Sequence, residues 1–291
     1  MKKELSKKLI LGVLIILSFV TFPVFVKAAV IDDEYYDYQE YLNKIGYYPY
    51  VKDFSMGKNV VVAVIDNGVW LEHPDLTGSA WINKDEDQYN NKDDDSNGYI
   101  DDYYGWNFID NNNDLVTKGS HGTGVAGVIS ANSNSIGIIG IAPESKIMPL
   151  IVCDETGCED DIVISAIKYA VDNGADIINL SLGSSGYVGY NSEYDQIIGY
   201  AYDNGVVVVA AAGNGDIESL SYTGQDLNFA KVSPASNDVN DMNTVLGVGA
   251  LNALKKPTSW SNYGKGVDVY VQGEDIVSLS VPIHSDGASY R

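Results

Sequence analysis

The stretch Asn59-Val60-Val61-Val62-Ala63-Val64-Ile65-Asp66-Asn67-Gly68 decides the fold class of this chain. Its continuous, mostly β-branched apolar run is typical of a strand buried on both faces, as the strands of parallel sheets are. Asp66 then lies at the carboxyl end of that strand, which is where open α/β sheets place their functional sites. Asp-Asn-Gly is also an ordinary turn sequence, but a carboxylate at the end of a buried strand needs a partner.

Strands and helices alternate along the rest of the chain. Helices are predicted after Ser120, from Asp160 to just before Gly174, and from Ser192 to Gly205, with Asp160 and Ser192 as the capping residues of the last two. Further strands are predicted at residues 145–152, 177–182, 206–212, 244–250 and 267–271, with a loop at 153–160. This alternation predicts an α/β fold in which a parallel sheet is flanked by helices through right-handed crossovers. The sequence has no internal repeat and no low-complexity linker, so residues 59–291 are expected to form one domain.

A second stretch, Gly119-Ser120-His121-Gly122-Thr123-Gly124-Val125-Ala126-Gly127-Val128-Ile129, carries one of the three histidines of the chain. Its apolar residues repeat at helical spacing, and its glycines would let another backbone come close. Glycine destabilises a helix, so three glycines in so short a helix need a packing or functional reason. A neutral imidazole in the first turn is a candidate proton acceptor, and a histidine that only caps a Gly-rich turn is the alternative.

The composition excludes some partners. The chain has 291 residues, 45% of them hydrophobic, with 40 acidic against 18 basic side chains and a net charge of −22. Nucleic acid is therefore an unsuitable partner, because its phosphates would repel this surface. The acidic balance suits an exported protein that binds divalent cations, although a solvated acidic surface is the simpler explanation. A monomer is expected.

The N-terminus predicts an export signal over residues 1–28. Four lysines within the first eight residues precede the apolar run Leu9–Val26, and small residues would allow cleavage after Ala28. The protein is accordingly expected outside the cell, and an uncleaved membrane anchor is the alternative. Residues 29–58 form a short lead-in rich in tyrosine and acid, expected to be partly helical from Asp37 to Ile45 and to lie on the domain surface.

The two cysteines, Cys153 and Cys158, are close in sequence. In an oxidising compartment a local disulfide that closes one loop is expected. A zinc site is disfavoured, because four suitable ligands do not occur nearby.

Residues 85–102 contain an acidic segment that resembles part of a calcium loop. Oxygen donors alternate before a glycine turn at Gly98, and a backbone carbonyl follows at Tyr99, which matches the first half of an EF-hand loop. Position twelve is Tyr104 rather than glutamate, and flanking helices are missing, so a solvated acidic loop is the alternative. The predicted calcium ligands are Asp93, Asp95, Asn97, Tyr99 and Asp101.

Three polar residues are predicted at the ends of elements of one parallel sheet: Asp66, His121 and Asn214. A buried aspartate can hold an imidazole in one tautomer, and the imidazole can then take a proton from a hydroxyl nucleophile. An asparagine amide can donate to an oxyanion as it develops. Residues Ser181, Leu182 and Gly183 offer an edge whose backbone can pair with an extended peptide.

These motifs together resemble the subtilisin-like serine proteases of the subtilase family. The matching stretches follow the family's order from about residue 59 to residue 275: Val64–Val69, His73–Leu76, Gly119–Gly127, Asn179–Gly183, Ala210–Asn214 and Trp260–Gly264, followed by Val267-Asp268-Val269. The resemblance implies a three-layer subtilisin-like fold and hydrolysis of peptide bonds in protein or peptide substrates by an Asp-His-Ser triad.

The resemblance also implies residue roles. Asp66 would orient His121, which would act as general base and then acid, and Asn214 would supply the oxyanion-hole amide. Residues 181–183 would flank the bound peptide. The pocket for the residue before the scissile bond would be lined by Ala210, Ala211, Ala212 and Gly213. The acidic loop would be the calcium loop found in many family members, and the other histidines, His73 and His284, are weaker base candidates.

One departure from the family pattern concerns the nucleophile. The family carries its serine in Gly-Thr-Ser-Met-Ala-x-Pro at the start of a central helix, and residues 281–291 contain no such motif. Ser285 and Ser289 have neither the preceding glycine nor the following helix, so neither is expected to act as nucleophile. The fold is therefore expected to be truncated at its C-terminus, with an apolar patch where the central helix would lie. The alternative function is a non-catalytic relic that binds peptide or calcium.

A nucleotide-binding α/β enzyme is disfavoured, because no Gly-x-Gly-x-x-Gly follows the first strand and Asp66 lies where such a loop would begin.

Overall fold

The computed structural model describes residues 31–47, 55–117, 119–183, 189–215, 223–240 and 242–282. Contacts divide the chain into Met1–Ile31 and Asp32–Arg291, and the second unit contains every helix and strand described. The predicted signal at 1–28, His284, Ser285 and Ser289 lie outside the described residues.

Nine strands and four α-helices occur in the described residues. The strands are β1 (Val61–Asp66), β2 (Trp106–Asn107), β3 (Lys146–Ile151), β4 (Cys153–Asp154), β5 (Gly157–Cys158), β6 (Ile177–Leu180), β7 (Val207–Ala211), β8 (Val245–Leu251) and β9 (Val269–Gln272). The helices are α1 (Glu40–Lys44), α2 (His121–Ser130), α3 (Asp160–Asp172) and α4 (Glu193–Asp203), with 3₁₀ helices at Tyr36–Tyr38 and Pro74–Leu76.

Seven of these strands form one parallel sheet in the order β2-β3-β1-β6-β7-β8-β9. The predicted parallel α/β sheet is therefore confirmed, and the carboxyl ends of β1, β6 and β7 meet at one edge. The predicted strands agree with the structure to within two residues at each end. The short edge strand β2 was not predicted, because two residues carry too little periodicity to be recognised.

Side chains of β1 alternate between two hydrophobic cores, one on each face of the sheet. Ala63 and Ile65 belong to the core that contains the apolar faces of α3 and α4, and Val62 and Val64 belong to the core against α2. Successive residues of a strand point to opposite faces, so a continuous apolar run is what a doubly covered strand requires. The result is a three-layer arrangement of helix, sheet and helix.

The predicted loop at 153–160 contains a small hairpin. Cys153 pairs with Cys158 across β4 and β5, and a disulfide joins the two residues, as expected from their spacing. The prediction that Asp160 caps the next helix was wrong, because Asp160 is the first residue of α3. Glu159 occupies the cap position, and its side chain caps no backbone amide. The carboxylates in this first turn still interact favourably with the positive end of the helix dipole.

The lead-in is partly helical, as predicted, but its expected place on the surface was wrong. Leu42 and Tyr47 are fully buried. The amide of Gln39 forms two hydrogen bonds of 2.9 Å with the backbone of Ile139, one donated and one accepted. This segment is therefore part of the domain core. Among the described helices, none combines the length and apolarity that crossing a membrane requires.

Candidate active site

Asp66 and His121 form a direct pair at the carboxyl edge of the sheet. Nδ1 of His121, the first residue of α2, lies 2.9 Å from each carboxylate oxygen of Asp66, the last residue of β1. The Asp66 side chain is 4% exposed and that of His121 is 55% exposed. A buried carboxylate thus orients an imidazole that solvent or a substrate can reach.

Local glycines allow this pair to form. A Cβ on Gly122 would lie 2.4 Å from the carbonyl oxygen of Gly68 and 3.1 Å from Cβ of Asp66. Any larger residue at position 122 would push α2 away from β1. The packing reason expected for at least one glycine of this helix is therefore found at Gly122.

Asn214 follows β7 at the same edge of the sheet. Because β7 is separated from β1 by β6 alone, the two strand ends lie about 10 Å apart across the sheet. Asn214 is exposed, and Asn262 fixes the loop that carries it. The Asn262 side chain donates to the carbonyl of Ala212 at 2.8 Å and accepts from the amide of Gly215 at 2.9 Å. Asn262 lies in a matched motif, but no supporting role was predicted for it.

The predicted peptide-binding residues follow β6 and continue β7. Ser181 and Leu182 are half-buried and Gly183 is exposed, directly after the end of β6. Ala210 and Ala212 have their side chains in the core, whereas Ala211 and Gly213 reach the surface. Of the predicted pocket wall, Ala211 alone therefore presents a side chain toward the surface, because Gly213 has none.

A cavity of about 700 Å³ adjoins this edge. The disulfide hairpin, the first turn of α3 and the residues after β6 line it, including Cys158, Glu159, Asp160, Asp161, Leu182 and Gly183. Asp160 accepts hydrogen bonds from the side chains of Asn191, at 2.9 Å, and Tyr194, at 3.0 Å. The lining contains three carboxylates and no lysine or arginine among the described residues.

His73 has a structural position. It is fully buried, and its Nδ1 accepts the backbone amide of Asp75 at 3.0 Å at the start of the 3₁₀ helix. Its expected weakness as a general base agrees with this environment, since no substrate can reach a fully buried ring.

The acidic segment brings together a different set of carboxylates from the predicted one. Oxygens of Glu86, Asp95 and Asp102 all lie within 4.8 Å of one another. Of these residues only Asp95 was predicted as a ligand. Asp93 instead accepts the backbone amides of Asn97 and Gly98, at 3.0 and 2.9 Å.

The remaining predicted ligands lie close to this cluster and make contacts of their own. Asp101 accepts two backbone amides, at 2.9 and 2.8 Å. The side chain of Asn97 donates to Asp95 and Asp102, both at 3.0 Å. The ring of Tyr99 packs edge-on against Trp106. The acidic loop is therefore held together by its own side chains.

The chemistry of the cluster fits a hard divalent cation. Glu86 is 4% exposed and Asp102 is fully buried, and burial raises the pKa of both carboxyl groups. Oε2 of Glu86 is buried without a hydrogen-bond partner among the described residues. Calcium prefers carboxylate oxygens as ligands, and this cluster offers several of them, one of which has no hydrogen-bond partner among the described residues.

Comparisons with known proteins identify the family of this chain. A family model described as the subtilase family matches residues 57–289. The chain is 34% identical over 250 residues to a thermophilic serine proteinase of Bacillus sp. (strain AK1), with 85% of this chain and 52% of that protein covered. It is also 34% identical over 249 residues to thermitase of Thermoactinomyces vulgaris, with 85% and 75% covered.

A solved structure supports the fold. Fervidolysin from Fervidobacterium pennivorans, a keratinolytic enzyme related to subtilisin, superimposes with a TM-score of 0.68 at 28% identity, and the match covers 90% of this chain and 35% of fervidolysin. The chain spans about half the length of the Bacillus proteinase that it matches.

Proposed function

The chain belongs to the subtilase family, and from this premise we propose that it carries the acid–base pair of an exported serine endopeptidase. The contact of His121 Nδ1 with both oxygens of Asp66 carries the proposal. A carboxylate in that position fixes the imidazole tautomer that bears its proton on Nδ1, which leaves Nε2 as the proton acceptor.

The proposed chemistry is acyl transfer. Nε2 of His121 takes the proton of a serine hydroxyl as the oxygen attacks the peptide carbonyl, and Asp66 stabilises the imidazolium that forms. The Asn214 amide donates to the oxyanion, a contribution of about 3 kcal/mol for comparable donors. His121 then returns the proton to the leaving amine.

Protein or peptide substrates would bind along the edge that follows β6. Residues 181–183 follow β6 and belong to no strand of the sheet, so their backbone groups are available for pairing with an extended peptide. Ala211 and Gly213 would present the other wall. The broad substrate class is that of the family.

The proposed triad also needs a nucleophilic serine. Residues 1–291 contain no Gly-Thr-Ser-Met-Ala motif, so we assign the nucleophile to no residue of this sequence. Export is supported by the disulfide between Cys153 and Cys158, because such bonds persist in oxidising compartments.

Calcium is the proposed structural ion. Glu86, Asp95 and Asp102 would hold it, with the neutral donors Asn83 and Asn97 orienting two of these carboxylates. The ion would supply the positive charge that these desolvated groups need, and no step of peptide hydrolysis passes through it.

The test compares residues 29–291 with the same chain continued through the reading frame that follows. Hydrolysis of a fluorogenic peptide and labelling by a fluorophosphonate, which reacts with activated serines, are measured for both proteins. We expect the continued protein to be active and labelled, and both signals to be lost in its His121→Ala variant. An inactive continued protein, or labelling that survives His121→Ala, contradicts the proposal. Peptide binding without any labelling would favour the non-catalytic relic.

A further inference from the structure

Helix α2, which carries His121, is capped by a residue from another element. Ser120 precedes the helix, but its side chain caps no backbone amide. Instead Oδ1 of Asn67, in the loop after β1, accepts the backbone N–H of Gly122 at 2.9 Å. The first amides of a helix lack partners within it, so an acceptor at this position stabilises the helix start.

Asn67 is also fixed on its other side. Its backbone amide donates to Oδ1 of Asp66 at 2.8 Å, and its carbonyl accepts the hydroxyl of Thr117 at 3.2 Å. Gly119 packs against its side chain so closely that a Cβ there would lie 2.6 Å from Nδ2 of Asn67. One half-buried residue thus joins the carboxylate and the start of the imidazole-bearing helix.

We propose that Asn67 is a positioning residue for the Asp66–His121 pair. Its amide oxygen holds the first turn of α2 against the end of β1, so that Nδ1 of His121 reaches both oxygens of Asp66. A Cβ at Gly122 would lie 3.2 Å from Cγ of Asp66, so without this acceptor the nearby N–H of Gly122 would compete for the Asp66 carboxylate. The consequence for turnover rests on the proposed function, whereas the geometric claim does not.

The neutrality of the amide matters as well. An aspartate at position 67 would accept the same N–H and would suit the helix dipole. It would also place a second negative charge beside His121, which is already in contact with Asp66. Such a charge favours the imidazolium and raises the pKa of a histidine. Asparagine supplies the cap without changing the charge of the site.

The test is an NMR titration of the His121 imidazole in the 291-residue chain. This measurement needs neither a nucleophile nor turnover. Labelled histidine gives three imidazole signals, and His121→Gln identifies the relevant one. We expect Asn67→Ala to lower the pKa of His121 by about 0.5, because the contact with Asp66 loosens, and Asn67→Asp to raise it by about 0.5.

Asn237→Ala is the matched control. Asn237 is fully buried, and its amide donates to Asn191 and Asp195 in another part of the fold. This variant should lower the melting temperature and leave the His121 titration unchanged. A purely structural Asn67 would behave in the same way, and that result would overturn the proposal.

Two further variants keep the outcomes distinct. If Asn67→Ala does not fold, Asn67→Asp, which retains the acceptor, still tests the proposal, and a lowered or unchanged pKa of His121 would refute it. Asp66→Asn must lower the pKa of His121. Should it fail to do so, the acid–base pair and the proposed function fall together. If only Asn67→Ala has no effect, the role of Asn67 alone is lost.

Discussion

Asp66 and Asp102 are both buried aspartates, 3% and 0% exposed, and the chain satisfies them in different ways. Asp66 contacts a side chain that can carry positive charge, His121. Asp102 accepts hydrogen bonds from neutral groups and lies beside two further carboxylates. No lysine or arginine among the described residues forms an ion pair with Asp102. Burial alone therefore does not distinguish the two aspartates, and the nature of the partner separates the proposed acid–base pair from the proposed cation site.

Replacement of Asp66 is expected to have the largest effect. In the protein that includes the nucleophile, Asp66→Asn should lower kcat by about 10⁴-fold, because the neutral amide favours the wrong imidazole tautomer. The response of the melting temperature to calcium should not change. Asp93→Asn is the control, since Asp93 accepts only loop amides and should retain full activity. A loss of less than tenfold in Asp66→Asn would contradict the assigned role.

Calcium is expected to stabilise the folded chain by binding to the cluster of Glu86, Asp95 and Asp102. An ion that binds only the folded state stabilises it by about 2.7 kcal/mol at 100 times its Kd, which corresponds to a rise in Tm of about 5–10 °C for a domain of this size. Thermal unfolding in calcium and in chelator measures this effect. No difference between the two conditions would remove the site.

Single substitutions can decide which carboxylates bind the ion. We expect Glu86→Gln to abolish the calcium response and Asp93→Asn to leave most of it. In chelator, Glu86→Gln should raise Tm, because burial raises the pKa of Glu86 and its charged form is therefore costly in the folded chain. If Asp93→Asn abolished the calcium response and Glu86→Gln left most of it, the result would support the ligands predicted from the sequence instead.

Tyr169 tests the surroundings of Asp102. Its hydroxyl donates to Asp102 at 2.5 Å, and both residues are buried. Tyr169→Phe should lower the free energy of unfolding by about 1.5–3 kcal/mol, the usual contribution of a hydrogen bond to a charged group. Tyr200→Phe is the matched control, because its hydroxyl donates to the exposed Asp172 at 2.6 Å. Chemical denaturation should show a clearly smaller loss there, and equal losses would mean that burial does not strengthen the bond.

The sequence was sufficient to predict that Asp66 and His121 interact, since each lies at the end of a strongly patterned element, whereas their catalytic role stays a prediction. An apolar strand and a Gly-rich helix predict where their terminal side chains lie, although 55 residues separate them. The lead-in was misplaced, because its many tyrosines and acids suggested a surface and only the fold shows Leu42 and Tyr47 inside.

The sequence pointed to the segment that contains the proposed cation site but not to all of the carboxylates that cluster there. The alternating oxygen donors suggested Asp93 and Asp101 as calcium ligands. Both carboxylates, however, already accept hydrogen bonds from backbone amides. Glu86 and Asp102 lie outside the calcium-loop pattern and meet only through the path of the loop. Which carboxylate remains unsatisfied depends on local hydrogen bonds that spacing does not encode.

Asp160 is an intermediate case between the two aspartates compared above. Like Asp102, it accepts hydrogen bonds from neutral side chains, but it is only half-buried and lines an open cavity with Glu159 and Asp161. A cationic substrate side chain in this cavity would pair with Asp160 as His121 pairs with Asp66. Solvent screens such a pair, so the expected gain is small, about threefold in affinity.

Two series of peptides test this expectation, one with lysine and one with glutamate placed at each position in turn. Their affinities for the 291-residue chain are measured. At one position the lysine peptide should bind about threefold more tightly, and Asp160→Asn should remove that preference, because the oriented carboxylate supplies the attraction. Asp203→Asn, at the exposed far end of α4, should leave the preference intact. Salt at high concentration should weaken it, since exposed charges are screened. If lysine and glutamate peptides bind equally at every position, the carboxylates of this cavity only stabilise the start of α3, and the contrast between Asp66 and Asp102 does not extend to substrate selection.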